Sequence, residues 1–232
     1  MGVVRLNLRE RVAEVQERIR QAAQRAGRQP EEIILVGVTK GVSPEVINQA
    51  FDAGIKIAGE NRAQELLAKI PQVTRPVEWH FIGALQTNKV RQILNKVALI
   101  HSLDRFSLAE EIARVARRQG IAARALVQVN VSRETTKRGL EVKEVIPFLA
   151  EVSKYEGLQV EGLMTIAPLG KESEARRVFG QLRRLAEEVE KEGFPRVQMR
   201  YLSMGMTDDF EVAIEEGSNM VRIGRGLFGP RG

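Results

Sequence analysis

The stretch "EEIILVGVTKGVSPEVINQAFDAG", residues 31–54, decides how the rest of the chain is read. Its run from Ile33 to Val38 is nearly all apolar and too short for a helix, so it reads as a strand buried on both faces. The run stops at Thr39-Lys40-Gly41. A helix is expected from Ser43-Pro44, a hydroxyl cap followed by proline at the first helical position, and Gly54 closes it. This makes one strand–helix unit with a lysine at the strand's C-terminal tip.

The same alternation continues along the chain. Short apolar runs are expected as strands at 33–38, 55–59, 78–82, 98–101, 125–129, 160–164, 200–203 and 219–223. Before them, Val12, Val15, Ile19, Ala22 and Ala26 stripe a helix over 7–26, with Asn7 and Glu10 as its capping pair and Gly27 as its end. Leu108, Ile112, Val115 and Ala116 stripe another helix, closed by Gly120. Val178, Leu182, Leu185 and Val189 stripe a third, closed by Gly193. Pro147, inside the segment 141–155, either kinks that helix or delays its start, and the pattern leaves both open.

About eight such alternations in 232 residues predict one α/β domain over 1–232, a (β/α)8 TIM barrel with an extra N-terminal helix, residues 1–30, packed on it. The competing architecture is an open doubly wound sheet. That fold usually opens its first helix with a glycine-rich fingerprint, which "VTKGVSPE" lacks.

Composition narrows the function classes. Hydrophobic residues make up 43% of the chain, which fits a globular protein. The absence of cysteine excludes disulfides, thiol catalysis and cysteine zinc sites. No segment approaches the roughly 18 apolar residues of a membrane span, and "MGVVRLNLRERVAEV" has neither a signal-peptide core nor a myristoylation pattern. A cytoplasmic protein is the expectation. The net charge of +6 raises nucleic acid as a partner. However, the basic residues alternate with acids along helices, and aromatics are only 5%, so no nucleic-acid partner is expected.

In a barrel of this type the chemistry sits at the C-terminal ends of the strands. Those ends carry Thr39-Lys40, Glu60-Asn61, His80 with Gly83, His101-Ser102, Asn130, Met164-Thr165, Ser203-Met204-Gly205, and Arg222 with Gly224. No carboxylate cluster with metal-ligand spacing and no serine elbow is among them. Two glycine turns, "LSMGMTDD" and "VRIGRGLFG", follow the seventh and eighth strands, where barrels commonly hold a phosphate. Glycine lets the anion reach backbone N–H groups, and Ser203 and Arg225 would add a hydroxyl and a charge. Lys40, at the rim of a buried strand, is expected to be partly desolvated, which favours the neutral amine and its lone pair. An amine facing a phosphate nest spans a small ligand with an aldehyde and a phosphate. Pyridoxal 5'-phosphate, PLP, is such a ligand.

The motifs "VGVTKGVS", "AGENRAQE", "WHFIGALQTNK", "GLMTIAP" and "LSMGMTDDFEVAIEEGSNMVRIGRGLFG" resemble, in order and spacing, the PLP homeostasis proteins, once labelled proline synthetase co-transcribed proteins. The resemblance runs from about Ile33 to Gly229. It implies a fold-type III-like barrel similar to the N-terminal domain of alanine racemase, with PLP bound covalently to Lys40. It also implies phosphate contacts from Ser203, Met204, Gly205, Gly224 and Arg225, with Arg222 toward the pyridine nitrogen. Asn61, His80 and Met164 would line the pocket around the ring. A lone strand histidine such as His80 is otherwise a hydrogen-bonded core residue. At Arg225 many relatives carry a small hydroxyl residue, which would leave only its backbone N–H in the site.

The resemblance further implies a PLP carrier without enzymatic turnover. An always-charged Arg222 disfavours a protonated ring, the state in which PLP acts as an electron sink. Racemisation would also need a second acid–base group, which a tyrosine from another domain supplies in alanine racemase-like enzymes. The expected role is to hold PLP as a Schiff base and release it, with other B6 vitamers and apo PLP enzymes as further partners and the chain a monomer. The alternative is a PLP-dependent amino-acid racemase or lyase.

Overall fold

A computed structural model describes residues 7–134 and 137–230. In chain order the main elements are α1 (Leu8–Arg25), β1 (Ile34–Val38), α2 (Pro44–Asp52), β2 (Ile57–Glu60), α3 (Ala63–Lys69), β3 (Glu78–Phe81), α4 (Val90–Ile93) and β4 (Leu99–Leu103). They continue with α5 (Phe106–Gln119), β5 (Ala123–Gln128), α6 (Val142–Val152), β6 (Leu158–Met164), α7 (Glu172–Glu192), β7 (Val197–Ser203), α8 (Phe210–Glu215), β8 (Met220–Ile223) and α9 (Arg225–Phe228). All eight strands run parallel and close into a barrel in sequence order. At the closing seam Val36 lies opposite Arg222 and Gly37 opposite Ile223.

Two apolar layers hold the ring. Inside it, Val36, Leu99, Leu126, Met164 and Met220 form a small buried cluster with Ile34, Ile57 and Tyr201 against it. Outside it, the apolar stripes of α2 to α7 pack on the outward faces of the strands in a much larger cluster. Short strands buried on both faces, as "IILVGV" is, are what this double layer requires.

The N-terminal helix forms as its sequence signals predict. Asn7 Oδ1 accepts from the Glu10 N–H at 3.1 Å, and Glu10 Oε2 accepts from the Asn7 N–H at 2.7 Å. Its buried face, Val12, Val15, Ile19, Ala22 and Ala23, packs on Phe210, Ile214, Val221, Ile223 and Leu227. The helix therefore covers the outer side of the β8 end of the barrel, and Arg18 adds an ion pair to Glu211 at 2.7 Å.

Some boundaries differ from the sequence reading. β4 continues two residues beyond His101, so that histidine lies inside the barrel and not at its tip. The helix containing Pro147 starts at Val142, where a Glu141–Glu144 capping box begins it, and it runs through the proline. α3 and α4 are short, seven and four residues, which is why neither left a clear apolar stripe. Among the described residues no helix is long and apolar enough to cross a membrane.

The β6 register shifts at Gly162, which pairs with Tyr201 at a φ of +146°. A Cβ there would sit 1.9 Å from the Tyr201 carbonyl oxygen. Gly162→Ala is expected to cost about 2–3 kcal/mol, read as a lower urea midpoint with an unchanged m-value. An unaltered midpoint would mean the strands part there at no cost.

Candidate functional site

The strand ends converge at one mouth. Val38 lies opposite Gly59 across β1–β2, so Lys40 and Asn61 are neighbours two residues further along. Across the seam Gly37 lies opposite Ile223, which puts Gly224 beside the end of β1. Arg222 N–H donates to the Gly205 carbonyl at 3.0 Å, joining the two glycine turns. Lys40, Asn61, Gly205, Arg222 and Gly224 thus come from four consecutive strands around the seam.

Lys40 is exposed, and among the described residues no hydrogen bond or ion pair reaches its side chain. The expected partial burial is not found: Lys40 lies in the turn two residues past the end of β1 and is exposed. Its backbone, however, is fixed on both sides. Lys69 Nζ donates to the Thr39 carbonyl at 2.7 Å, to Glu60 Oε1 at 2.7 Å and to Glu65 Oε1 at 2.6 Å. The Thr39 hydroxyl donates to Glu60 Oε1 at 2.7 Å, and the Gly41 N–H donates to Glu65 Oε1 at 2.5 Å. Glu60 is fully buried and Lys69 nearly so. Burial pushes the Glu60 carboxyl up from its usual range, against the pull of Lys69 and Thr39.

Arg222 is buried, and no carboxylate bonds it among the described residues. Its Nη1 donates to Ser203 Oγ at 2.6 Å and its Nη2 to the Thr165 carbonyl at 2.9 Å. Burial lowers its pKa to about 10, which still leaves it charged at neutral pH. Beyond Ser203 the polar chain continues through the barrel interior. His101 Nδ1 lies 3.0 Å from Ser203 Oγ, His101 Nε2 lies 3.0 Å from His80 Nδ1, and His80 Nε2 lies 2.9 Å from Glu78 Oε1.

The structure places the other expected residues as follows. The Ser203 hydroxyl, expected at a phosphate, lies between Arg222 and His101. His80, expected beside a ring, is buried and bonded to His101 and Glu78 in the interior chain. Met204 donates its N–H to the Met220 carbonyl at 3.1 Å, accepts from the Ser218 hydroxyl at 2.7 Å, and buries its side chain in the outer core. The Arg225 guanidinium pairs with Asp208 at the exposed rim. Met164 is buried in the interior cluster, beneath the mouth.

Other expected residues keep open groups. Gly205 has a φ of +94°, and a Cβ there would lie 2.6 Å from Ala213 Cβ. Only glycine fits that turn. Among the described residues the N–H groups of Gly205 and Gly224 donate to no protein group. Asn61 Oδ1 is buried and accepts no hydrogen bond. A cavity of about 350 Å³ opens beside it, lined by Asn61, Gly83, Gln128, Asn130, Lys137 and Ile166 among others. Gly83 makes room for this arrangement, since a Cβ there would fall 2.1 Å from the Asn61 carbonyl oxygen.

Sequence reasoning missed three features. The Lys69–Glu60–Glu65 cluster left one local signal, Glu65 and Lys69 at i,i+4 on α3. Thr207 accepts from the Gly226 N–H at 3.2 Å and links the two turns, a pairing no spacing rule suggests. His101 was read as a strand-end residue, and its place in an interior chain depends on strands far apart in sequence. Among the described residues no group of three His, Cys, Asp or Glu side chains is suited to a metal ion.

The family described as "alanine racemase, N-terminal domain" matches residues 11–232. A pyridoxal phosphate homeostasis protein of Aquifex aeolicus is 46% identical over 228 residues, covering 97% of this chain and 99% of its own. PipY of Synechococcus elongatus, solved with PLP bound, superposes with a TM-score of 0.84 at 31% identity, over 96% of this chain and 100% of that one. An alanine racemase of Clostridium difficile shares the fold at a TM-score of 0.75 and 16% identity, and this chain covers 57% of it.

Two outcomes test the local physics. Lys69→Met strands the buried Glu60 carboxylate and is expected to cost about 3–5 kcal/mol of stability, part of which Glu60→Gln restores in the double variant. Restoration of none of it would show that the pair does not act as a unit. For His101, burial first, then His80 and Arg222, hold the pKa well below 6.5. The unfolded chain therefore takes up a proton that the folded one refuses, so stability is full above pH 6.5 and falls as the pH drops below it. Glu60, with its raised pKa, contributes in the opposite sense, so the comparison is with a His101→Gln variant. Between pH 7.5 and 5.5 the unsubstituted chain should lose more stability than that variant, approaching about 1.4 kcal/mol per pH unit. Parallel slopes would contradict a neutral buried His101.

Proposed function

The chain belongs to the pyridoxal phosphate homeostasis protein family, built on the alanine racemase N-terminal domain, and on that premise we propose that it binds PLP covalently through Lys40 and releases it again. The observation that carries this reading is a primary amine on a doubly pinned backbone, unpartnered among the described residues, at the same end of the barrel as two glycine turns whose N–H groups donate to none of those residues. The donor set suits PLP. Gly205 and Gly224 would hold the phosphate through their backbone, Arg222 would meet the pyridine nitrogen, and the unsatisfied Asn61 Oδ1 would meet a ring donor. Ser203 and Met204 support the phosphate turn from behind, and Arg225 steadies it through Asp208.

When bound, PLP supplies an aldehyde that condenses reversibly with a primary amine, releasing one water. Each of the chain's own groups has a separate task. The Lys69 cluster keeps Thr39 and Gly41 from moving, so the Lys40 side chain swings from a fixed root. Exposure of Lys40 lets water and competing amines reach it, which suits exchange more than retention. Arg222, charged and bonded to no carboxylate among the described residues, would disfavour a protonated ring nitrogen.

The same parts support a role without turnover. Tyr201 OH reaches Arg124 at 3.4 Å, toward the N-terminal end of β5, and Tyr155 lies in the turn before β6. Both tyrosines of the chain therefore sit at the floor of the barrel, opposite the mouth. Neither is positioned as a second acid–base group. We extend the proposal to a single-domain cytoplasmic monomer that takes other B6 vitamers and passes PLP to apo-enzymes.

Borohydride treatment of the PLP-loaded protein should fix the cofactor on the peptide containing Lys40, identified by mass spectrometry. Lys40→Ala should lose the imine absorption and retain PLP at least tenfold more weakly. Equal PLP uptake by Lys40→Ala would sink the covalent reading, and steady racemisation of an amino acid above the rate of free PLP would favour an enzyme instead.

A further inference from the structure

The interior polar chain has a direction that its chemistry alone fixes. Arginine can only donate, so Ser203 Oγ accepts from Arg222 Nη1 at 2.6 Å and must send its own hydrogen elsewhere. The acceptor in reach is His101 Nδ1, at 3.0 Å. His101 is fully buried, and the neighbouring Arg222 charge further disfavours a second proton, so its single ring hydrogen lies on Nε2. That N–H donates to His80 Nδ1 at 3.0 Å, which leaves the His80 hydrogen on Nε2, donating to Glu78 Oε1 at 2.9 Å. Every link has one consistent role. The series begins at Glu78, half-exposed at the barrel floor, and ends at the guanidinium below the mouth.

We infer that His101 is a positioning residue for Arg222, acting through Ser203, with His80 and Glu78 fixing its tautomer. This rests on the reading that Arg222 meets the ring nitrogen of PLP. By taking the hydroxyl hydrogen, His101 turns the Ser203 oxygen toward Nη1. The Thr165 carbonyl holds Nη2 at 2.9 Å. Both anchors of the guanidinium are neutral, so its charge is left uncancelled where it would face the ring. A carboxylate in place of this chain would hold the arginine as firmly but would neutralise it. A buried neutral histidine gives orientation without neutralisation. The route to Glu78 explains why polar groups cross an interior that is otherwise Val36, Leu99, Leu126, Met164 and Met220.

The chain has only two histidines, so ring-nitrogen NMR of the uniformly ¹⁵N-labelled protein resolves both without PLP. Both should carry their hydrogen on Nε2, with His101 neutral at pH 7. A hydrogen on His101 Nδ1 would overturn the inference. In the PLP-loaded protein, His101→Leu and Ser203→Ala should move the absorption maximum of the bound cofactor and weaken its retention about tenfold. His101→Gln can accept from Ser203 through its oxygen and donate to His80 through its amide. It should return both readouts to within about twofold of the unsubstituted protein. Urea midpoints of each variant separate this from loss of fold, and if His101→Leu does not fold, Ser203→Ala and the NMR tautomers decide. Unchanged absorption and retention in the folded variants, or no recovery in folded His101→Gln, would overturn the positioning role. Failure of borohydride to label Lys40 in the unsubstituted protein would instead sink the PLP reading and leave the tautomer measurement standing.

Discussion

The closing seam between β8 and β1 is the constraint on which the rest depends. Four register pairs, from Ile34 with Met220 to Gly37 with Ile223, tie the last strand to the first. Without them Lys40 and Arg222 would be 182 positions apart on an open sheet. With them, the lysine loop, the guanidinium and both glycine turns share one rim. The N-terminal helix reinforces that seam from outside by burying its stripe against Phe210, Ile214, Val221, Ile223 and Leu227. It follows that α1, whose Arg11 also donates to the Leu227 carbonyl at 2.7 Å, is part of what shapes the site.

The site divides its rigidity unevenly. Backbone is held tightly at Thr39 and Gly41 by the Lys69 cluster, at Gly205 by the strand ladder, and at Gly226 by Thr207. Among the described residues the Lys40 side chain has no such anchor. A fixed root with a free amine suits a group that must meet an incoming carbonyl and later let it go. Immobilising the amine itself would have cost side-chain entropy and hindered exchange. Beneath the rim, Arg222 is the opposite case, a buried charge whose two anchors leave it little freedom.

Two buried ionic arrangements flank the mouth, and they solve the cost of burial differently. Glu60 and Lys69 neutralise each other outside the barrel wall, a pair whose worth lies in orienting the loop more than in net stability. Among the described residues Arg222 has no counter-charge in contact, and it is stabilised by hydrogen bonds to neutral groups and by a longer-range attraction from Asp209.

The fold was legible in the sequence because it follows from local rules. The run Ile33–Val38, the Ser43-Pro44 helix start, the Asn7–Glu10 capping box and the stripes of α5 and α7 each depend on residues within a few positions of one another. So did the identity of Lys40, Gly205, Gly224 and Arg222 as strand-end groups. What the sequence could not decide was which way side chains at those ends are turned and what they meet. The glycine turn suggests Ser203 as a phosphate ligand, but nothing local shows its hydroxyl between Arg222 and His101, strands apart. Nothing local shows that β4 runs on past His101 or that the two histidine rings meet inside the barrel. Alternation along a strand assigns a face, but only closure of the barrel determines the partners on that face, because each partner comes from a strand distant in the chain and adjacent only in space.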